Sequence, residues 1–248
     1  MKDHPYLFRW LLIAFVAVGL GAVGRADEDE DDDDKKKQTL EFADIEFFFE
    51  FNETDQDLGV QLNLGADPWN RLRIYDPNGK KILDVRGKDS LKDFGLSDLF
   101  FESNEPSFDE VSREEILATF PEGKYKFVGR TIEGDRLLGY KELTHDIPDG
   151  AVICSPEEDE VVDPDEDLTV SWQEVTTPAG IEIVAYQVIV TDDEESRFRY
   201  DVRVPADVTS LRVPAEFFRP DRLYEVEVLA VEESGNQTIS LLFFTTEE

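Results

Sequence analysis

Leu168-Thr169-Val170-Ser171-Trp172, Tyr186-Gln187-Val188-Ile189-Val190 and Tyr224-Glu225-Val226-Glu227-Val228 decide the fold of the C-terminal part of the chain. Each run is rich in β-branched and aromatic residues, and each carries the pattern of a strand with a face on a core. Further strands follow the same rule. Phe198, Tyr200, Val202 and Val204 alternate with Arg199, Asp201 and Arg203, and Leu211-Arg212-Val213 and Ile239–Phe244 add two more. Seven short strands separated by evenly spaced turns predict an immunoglobulin-like β-sandwich.

Within that pattern Trp172 reads as core, Tyr186 opens its strand, and Pro220-Asp221-Arg222-Leu223-Tyr224 places a tyrosine at a sheet-crossing corner. With Gly235-Asn236 following in order, residues 151–246 resemble a fibronectin type III domain. The resemblance implies a scaffold that binds, spaces or presents and seldom performs chemistry. The chain as a whole is similar to exported bacterial proteins carrying such a domain, a likeness that implies no activity.

Residues 38–146 are also β-rich. Ile45, Phe47, Phe49 and Phe51 alternate with Glu46 and Glu50, and Leu58, Val60, Leu62 and Leu64 with Gly59, Gln61 and Asn63. Arg71–Tyr75 and Lys81–Val85 flank Asp76-Pro77-Asn78-Gly79, a hairpin turn in which Pro presets φ and Asn-Gly tolerates positive φ. Strands near Lys124–Gly129 and Arg136–Leu143 flank a second turn at Glu133-Gly134-Asp135. Between the hairpins, Leu91, Phe94, Leu96, Leu99 and Phe100 have helical spacing, and Ser112-Arg113-Glu114-Glu115 is a capping box opening a helix to Thr119. Pro121-Glu122-Gly123-Lys124-Tyr125 echoes the corner at Pro220–Tyr224. The expectation is all-β: two tandem immunoglobulin-like/fibronectin III-like sandwiches, over 38–146 and 151–248. The first is divergent, with one or two short helices. The turn-rich joint Asp146-Ile147-Pro148-Asp149-Gly150 limits the angles between them.

The N-terminus sets the expected compartment. Lys2 and Arg9 precede an apolar run from Trp10 to Val23, and Gly24 and Ala26 are small residues at the −3 and −1 positions of a cut after Ala26. Residues 1–26 therefore read as a secretory signal peptide; a retained anchor is disfavoured because the run falls short of the ~20 residues that span a bilayer. Residues 27–37, eight acids and then three lysines, read as a disordered leader. The protein is expected to be exported, to the periplasm, the cell surface or the medium, with no membrane span after cleavage. Cleavage removes Lys2, Arg9 and Arg25 but only Asp3, taking the net charge from −33 to −35. Such a surface repels nucleic acid. The lone Cys154 reads as a small buried filler, its other use being a bond to a second chain.

Catalytic residues are not expected. His145, the only His beyond the signal peptide, reads as a solvent-facing loop residue, and no Gly-x-Ser-x-Gly, phosphate loop or dinucleotide fingerprint occurs. No cofactor is implied, with calcium the one metal to weigh. Asn52–Gly59 places the oxygens of Asp55 and Asp57 in a tight loop, which an Asx turn explains equally well. Trp69 lies in Gly65–Arg71, read as a loop. There it can stack on a sugar or anchor a partner, or fold back as a hydrophobic lid. These features predict a non-enzymatic binding or structural protein that contacts protein or polysaccharide. The alternatives are a calcium-dependent matrix or adhesion component and a small carbohydrate-active enzyme.

Overall fold

Residues 37–248 are described by the computed structural model; the expected signal peptide, and the acidic leader apart from Lys37, lie outside the described residues. The first part runs β1 (Thr39–Leu40), β2 (Asp44–Asn52), β3 (Asp57–Tyr75), β4 (Lys81–Arg86), α1 (Ser90–Phe94), β5 (Leu96–Glu102), α2 (Arg113–Thr119), β6 (Gly123–Thr131) and β7 (Arg136–Leu143). The second runs β8 (Ile153–Ser155), β9 (Val161–Val162), β10 (Leu168–Trp172), β11 (Ile183–Asp192), β12 (Arg199–Pro205), β13 (Ser210–Val213), β14 (Leu223–Glu232) and β15 (Gln237–Thr246).

β3 organises the first sandwich. Its first half, Asp57–Gly65, pairs with β2 on one side, and Gln61–Gly65 pair with β5 on the other. Its second half, Arg71–Tyr75, pairs with β4 and β6. The register against β5 slips between Gly65 and Trp69, and against β6 between Trp69 and Arg71. One strand thus passes from one layer to the other, the way sandwiches turn corners. The segment Gly65–Arg71, expected as a loop, is this crossing. Phe47, Phe49, Leu58, Val60, Leu62, Leu64, Leu72, Ile74, Tyr125, Phe127 and Leu137 fill the space between the layers. The Phe47 ring lies 5.0 Å from that of Tyr125.

The helical insert is smaller than its spacing suggests. α1 stops after Phe94 because Gly95 takes φ 79°, and Leu96–Glu102 is strand β5 rather than helix. α2 begins as expected: the Ser112 hydroxyl accepts from Glu115 N, and the Glu115 carboxylate accepts from Ser112 N.

The second sandwich sets the three-stranded sheet β13-β10-β8 against β12-β11-β14-β15. This is the arrangement of a fibronectin type III-like domain. Trp172 packs 5.4 Å from Tyr186 in its core, and the Tyr186 hydroxyl accepts from Val175 N at 2.7 Å. Both corner tyrosines act as expected. Tyr224 is fully buried and its hydroxyl accepts from Arg219 N at 2.9 Å; Tyr125 donates to Pro121 O at 3.1 Å. Removing the Tyr224 hydroxyl strands an inward-facing N–H, which costs about 1–2 kcal/mol. Tyr224→Phe is therefore expected to lower the urea midpoint with an unchanged m-value; an unaltered midpoint would show that the corner bond contributes nothing.

The two sandwiches share a sheet. β15 runs parallel to β2, with Gln237, Thr238 and Ile239 opposite Glu50, Phe51 and Asn52. One sheet therefore extends from β12 of the second sandwich through β15 and β2 to β3 of the first. The joint is clamped beside this seam. Asn236, fully buried, accepts from Phe49 N at 2.8 Å. Its amide donates to Thr144 O, Thr144 Oγ1 and Asp146 O at 3.0–3.2 Å. Thr238 donates to Pro148 O at 2.6 Å.

Candidate functional site

The densest chemistry lies where the two sandwiches meet. On β2, Phe47, Phe49 and Phe51 point into the first core, so Glu46, Phe48 and Glu50 occupy the opposite face. The same alternation on β3 puts Gly59 and Gln61 on that face, and on β15 it puts Gln237 there. Glu50 is 4% exposed, and its two carboxyl oxygens accept one bond from Gln61 of the first sandwich and one from Gln237 of the second.

Other acids crowd the same place. Gln61 stands opposite Glu102 of β5. Gly59 stands opposite Glu50, and a Cβ there would lie 2.5 Å from Glu105 Cγ, so the missing side chain makes room for Glu105. Glu227 approaches from β14. Buried oxygens of Gln61, Glu102, Glu105 and Glu227 have no hydrogen-bond partner among the described residues.

Such a place holds carboxyl groups best in their neutral form, because burial disfavours the anion and each neighbour is another acid. Burial, followed by Glu102 and Asp57, pushes Glu50 up to about 8 despite its two amide donors. Burial, with Glu50, Glu102 and Asp57, pushes Glu105 up to about 9. Burial, Asp55 and Glu102 push Asp57 up to about 6. Burial also raises Glu102. Glu227 is raised by burial and then by Glu225 and Glu50, with Arg199 acting the other way.

The residues singled out from the sequence fall elsewhere or into other roles. Trp69 is fully buried in the first core at the β3 crossing, so its indole offers no face for a sugar. The apolar neighbours of a strand, rather than a loop, decide its position. Asp55 sits in the β2–β3 turn, where Asn52 Oδ1 accepts from Thr54 N and Asp55 N, an Asx turn. Asp57 closes the same turn by pairing with Asn52, starts β3 and also adjoins the junction acids. Among the described residues no three His, Cys, Asp or Glu side chains converge as metal ligands.

His145 is packed rather than solvent-facing: its ring lies 5.6 Å from Phe49 and its Nε2 is 2.9 Å from Phe120 O. Cys154 is exposed on β8 rather than buried, because its strand turns that side chain away from the core. A depression of about 330 Å³ beside α1 is lined by Asn70, Lys92, Asp93, Ile132 and Glu133.

The junction acids were missed because Glu46 and Glu50 look like the wet half of an alternating strand. A signal was present in Val188-Ile189-Val190 and Val228-Leu229-Ala230-Val231. Unbroken apolar runs mark strands buried on both faces. Ile189, Leu229 and Val231 are indeed buried on the face opposite the second core.

No protein-family model matches the chain, and no curated protein matches it. Among solved structures, it is similar to the FN1–FN3 domains of chicken CNTN1, with a TM-score of 0.35 and 13% identity over 86% of this chain and 69% of that one. It is similar to the fibronectin(III)-like modules of Clostridium thermocellum CbhA, with a TM-score of 0.34 and 11% identity over 86% and 92% of the two chains. For a two-domain fibronectin type III segment of chicken tenascin the TM-score is 0.30, with 15% identity over 83% and 99%. Likeness at this level carries no inference about ligands. Among the described residues no helix is long and apolar enough to cross a membrane.

Proposed function

We propose that this chain is an exported, non-enzymatic binding or structural protein in which two fused sandwiches form a one-piece platform that contacts protein or polysaccharide. The observation that carries this reading is the sheet continuous through both sandwiches, with the joint held by Asn236 and Thr238. A platform that holds two modules at fixed spacing pre-organises whatever it presents, and pre-organisation lowers the entropic cost of binding. Contact would fall on the edge strands and end loops. Among the described residues β12 and β4 each pair on one side only, which leaves an edge for an added strand.

The test joins two measurements on the full chain. Small-angle scattering at neutral pH is expected to fit a single rigid shape, and a panel of polysaccharides is expected to show no release of reducing sugar. Sugar release from any member of the panel, or scattering that demands a spread of angles between the sandwiches, would overturn the proposal.

A further inference from the structure

The seam between the sandwiches is short, and a carboxyl group sits in it. β2 and β3 are registered over nine residue pairs, whereas β15 and β2 are registered over three. Glu50 lies at one end of those three, opposite Gln237, and its carboxyl accepts a hydrogen bond from each sandwich.

The groups facing Glu50 are of its own sign or neutral. From β3 come Asp57 and the amide of Gln61, and from β5 and the segment after it come Glu102 and Glu105. β15 supplies the Gln237 amide. β14 supplies Glu227, which Glu225 adjoins and on which Arg199 of β12 acts. On β11, Gln187 is bonded to Asp201 of β12. On β2 itself Glu46 takes a bond from Asn63, and Glu53 beyond the strand is exposed.

We propose that this seam is a pH-operated latch, closed while Glu50 carries its proton and released when Glu50 ionises, so that the second sandwich, with the 144–150 linker bonded to it, swings away from β2. A buried anion among acids draws in water. Parting the seam admits water to Glu50 by breaking the three-pair ladder, the flanking Glu53–Ile239 and Thr54–Leu241 bonds and the Asn236–Phe49 bond, and it leaves the nine-pair β2–β3 ladder whole. The two amides that hold the neutral carboxyl can turn to solvent once the strands separate. Release near pH 8 agrees with the raised affinity of Glu50 for its proton. The latch adds a condition to the platform reading, and its failure would leave that platform rigid at every pH.

The experiment uses the thiol already exposed at Cys154 in the second sandwich and a second one introduced by Lys80→Cys in the exposed β3–β4 turn of the first. Spin labels at both sites of the full chain report the distance between the sandwiches. A single narrow distance is expected near pH 5.5, broadening or lengthening by about pH 9.5, with the midpoint near 8. Glu50→Gln on the labelled background is expected to stay narrow throughout. Glu102→Gln, which removes a like charge while keeping Glu50, is expected to lower the midpoint. A wild-type distribution that does not change over this range would overturn the latch. So would broadening undiminished in Glu50→Gln, or a midpoint that Glu102→Gln leaves in place or raises.

Discussion

Asn236→Ala is expected to destabilise the chain by about 3 kcal/mol, and to split its unfolding into two calorimetric transitions. Truncation strands several buried partners. Asn236 is fully buried, accepts from Phe49 N at 2.8 Å, and donates to Thr144 O, Thr144 Oγ1 and Asp146 O. Alanine leaves one backbone N–H and two carbonyls without that partner, each worth ~1–3 kcal/mol when buried, with part recovered by local shifts. These groups belong to the first sandwich and the linker, while Asn236 belongs to the β14–β15 hairpin, so the loss falls on coupling between the two cores. Asn236→Asp is expected to be at least as damaging, because it keeps the bond to Phe49 N but turns an anion towards two carbonyls. One undivided transition at the wild-type temperature would show that the clamp does not couple the sandwiches.

The second large effect concerns pH. Glu50 binds its proton up to about 8 in the folded chain and releases it near 4.5 in the unfolded one. Between those values the folded state holds more protons than the unfolded state. Stability is therefore full below about 4.5 and falls as pH rises through the window. At ~1.4 kcal/mol per pH unit, Glu50 alone accounts for about 5 kcal/mol lost by pH 9 as an upper bound. Glu105, with its value near 9, and Asp57, near 6, act in the same direction.

General repulsion in a chain of net charge −33 also grows with pH. Glu50→Gln separates the two. The variant cannot ionise, but one amide donor of Gln61 or Gln237 then meets an NH2 group, at a cost of about 1–2 kcal/mol. It is expected to be more stable than wild type by about 3 kcal/mol near pH 9, and slightly less stable near pH 5. Urea unfolding at both pH values measures this. A wild-type chain that gains stability from pH 5.5 to 9 would contradict the buried neutral acid.

Much of this fold is legible in the sequence because it is local. Phe47, Phe49 and Phe51, and Leu58 to Leu64, reveal their strands by alternation, and Ser112 and Glu115 reveal a helix start. Both corner tyrosines follow from Pro-x-x-x-Tyr. What is not legible is set by distant partners. Asp67-Pro68 inside β3 carries turn chemistry, yet the strand continues because β5 and β6 take up pairing on either side of Trp69. Leu96, Leu99 and Phe100 fit a helical stripe, but the positive φ of Gly95 ends α1, and the open side of β3 captures the residues that follow. The junction is the least visible part, since Glu50 meets Gln237 across 187 residues of chain. Nothing near Glu50 in sequence distinguishes it from the solvated Glu of an ordinary amphipathic strand.

The pairing of β15 with β2 has a consequence for how the protein is made. The second strand of the first sandwich waits for β15, so the seam cannot close during synthesis until residues 237–246 have emerged. Until then β2 presents an open ladder bordered by Phe48, the kind of edge that recruits other chains. Glu50 stands in that edge, and before docking it is hydrated and ionised at neutral pH. An inward-pointing charge is a common protection against misplaced strand addition. The same carboxyl thus repels stray partners from a nascent chain and, once it has taken up a proton, accepts the one strand that supplies an amide in register.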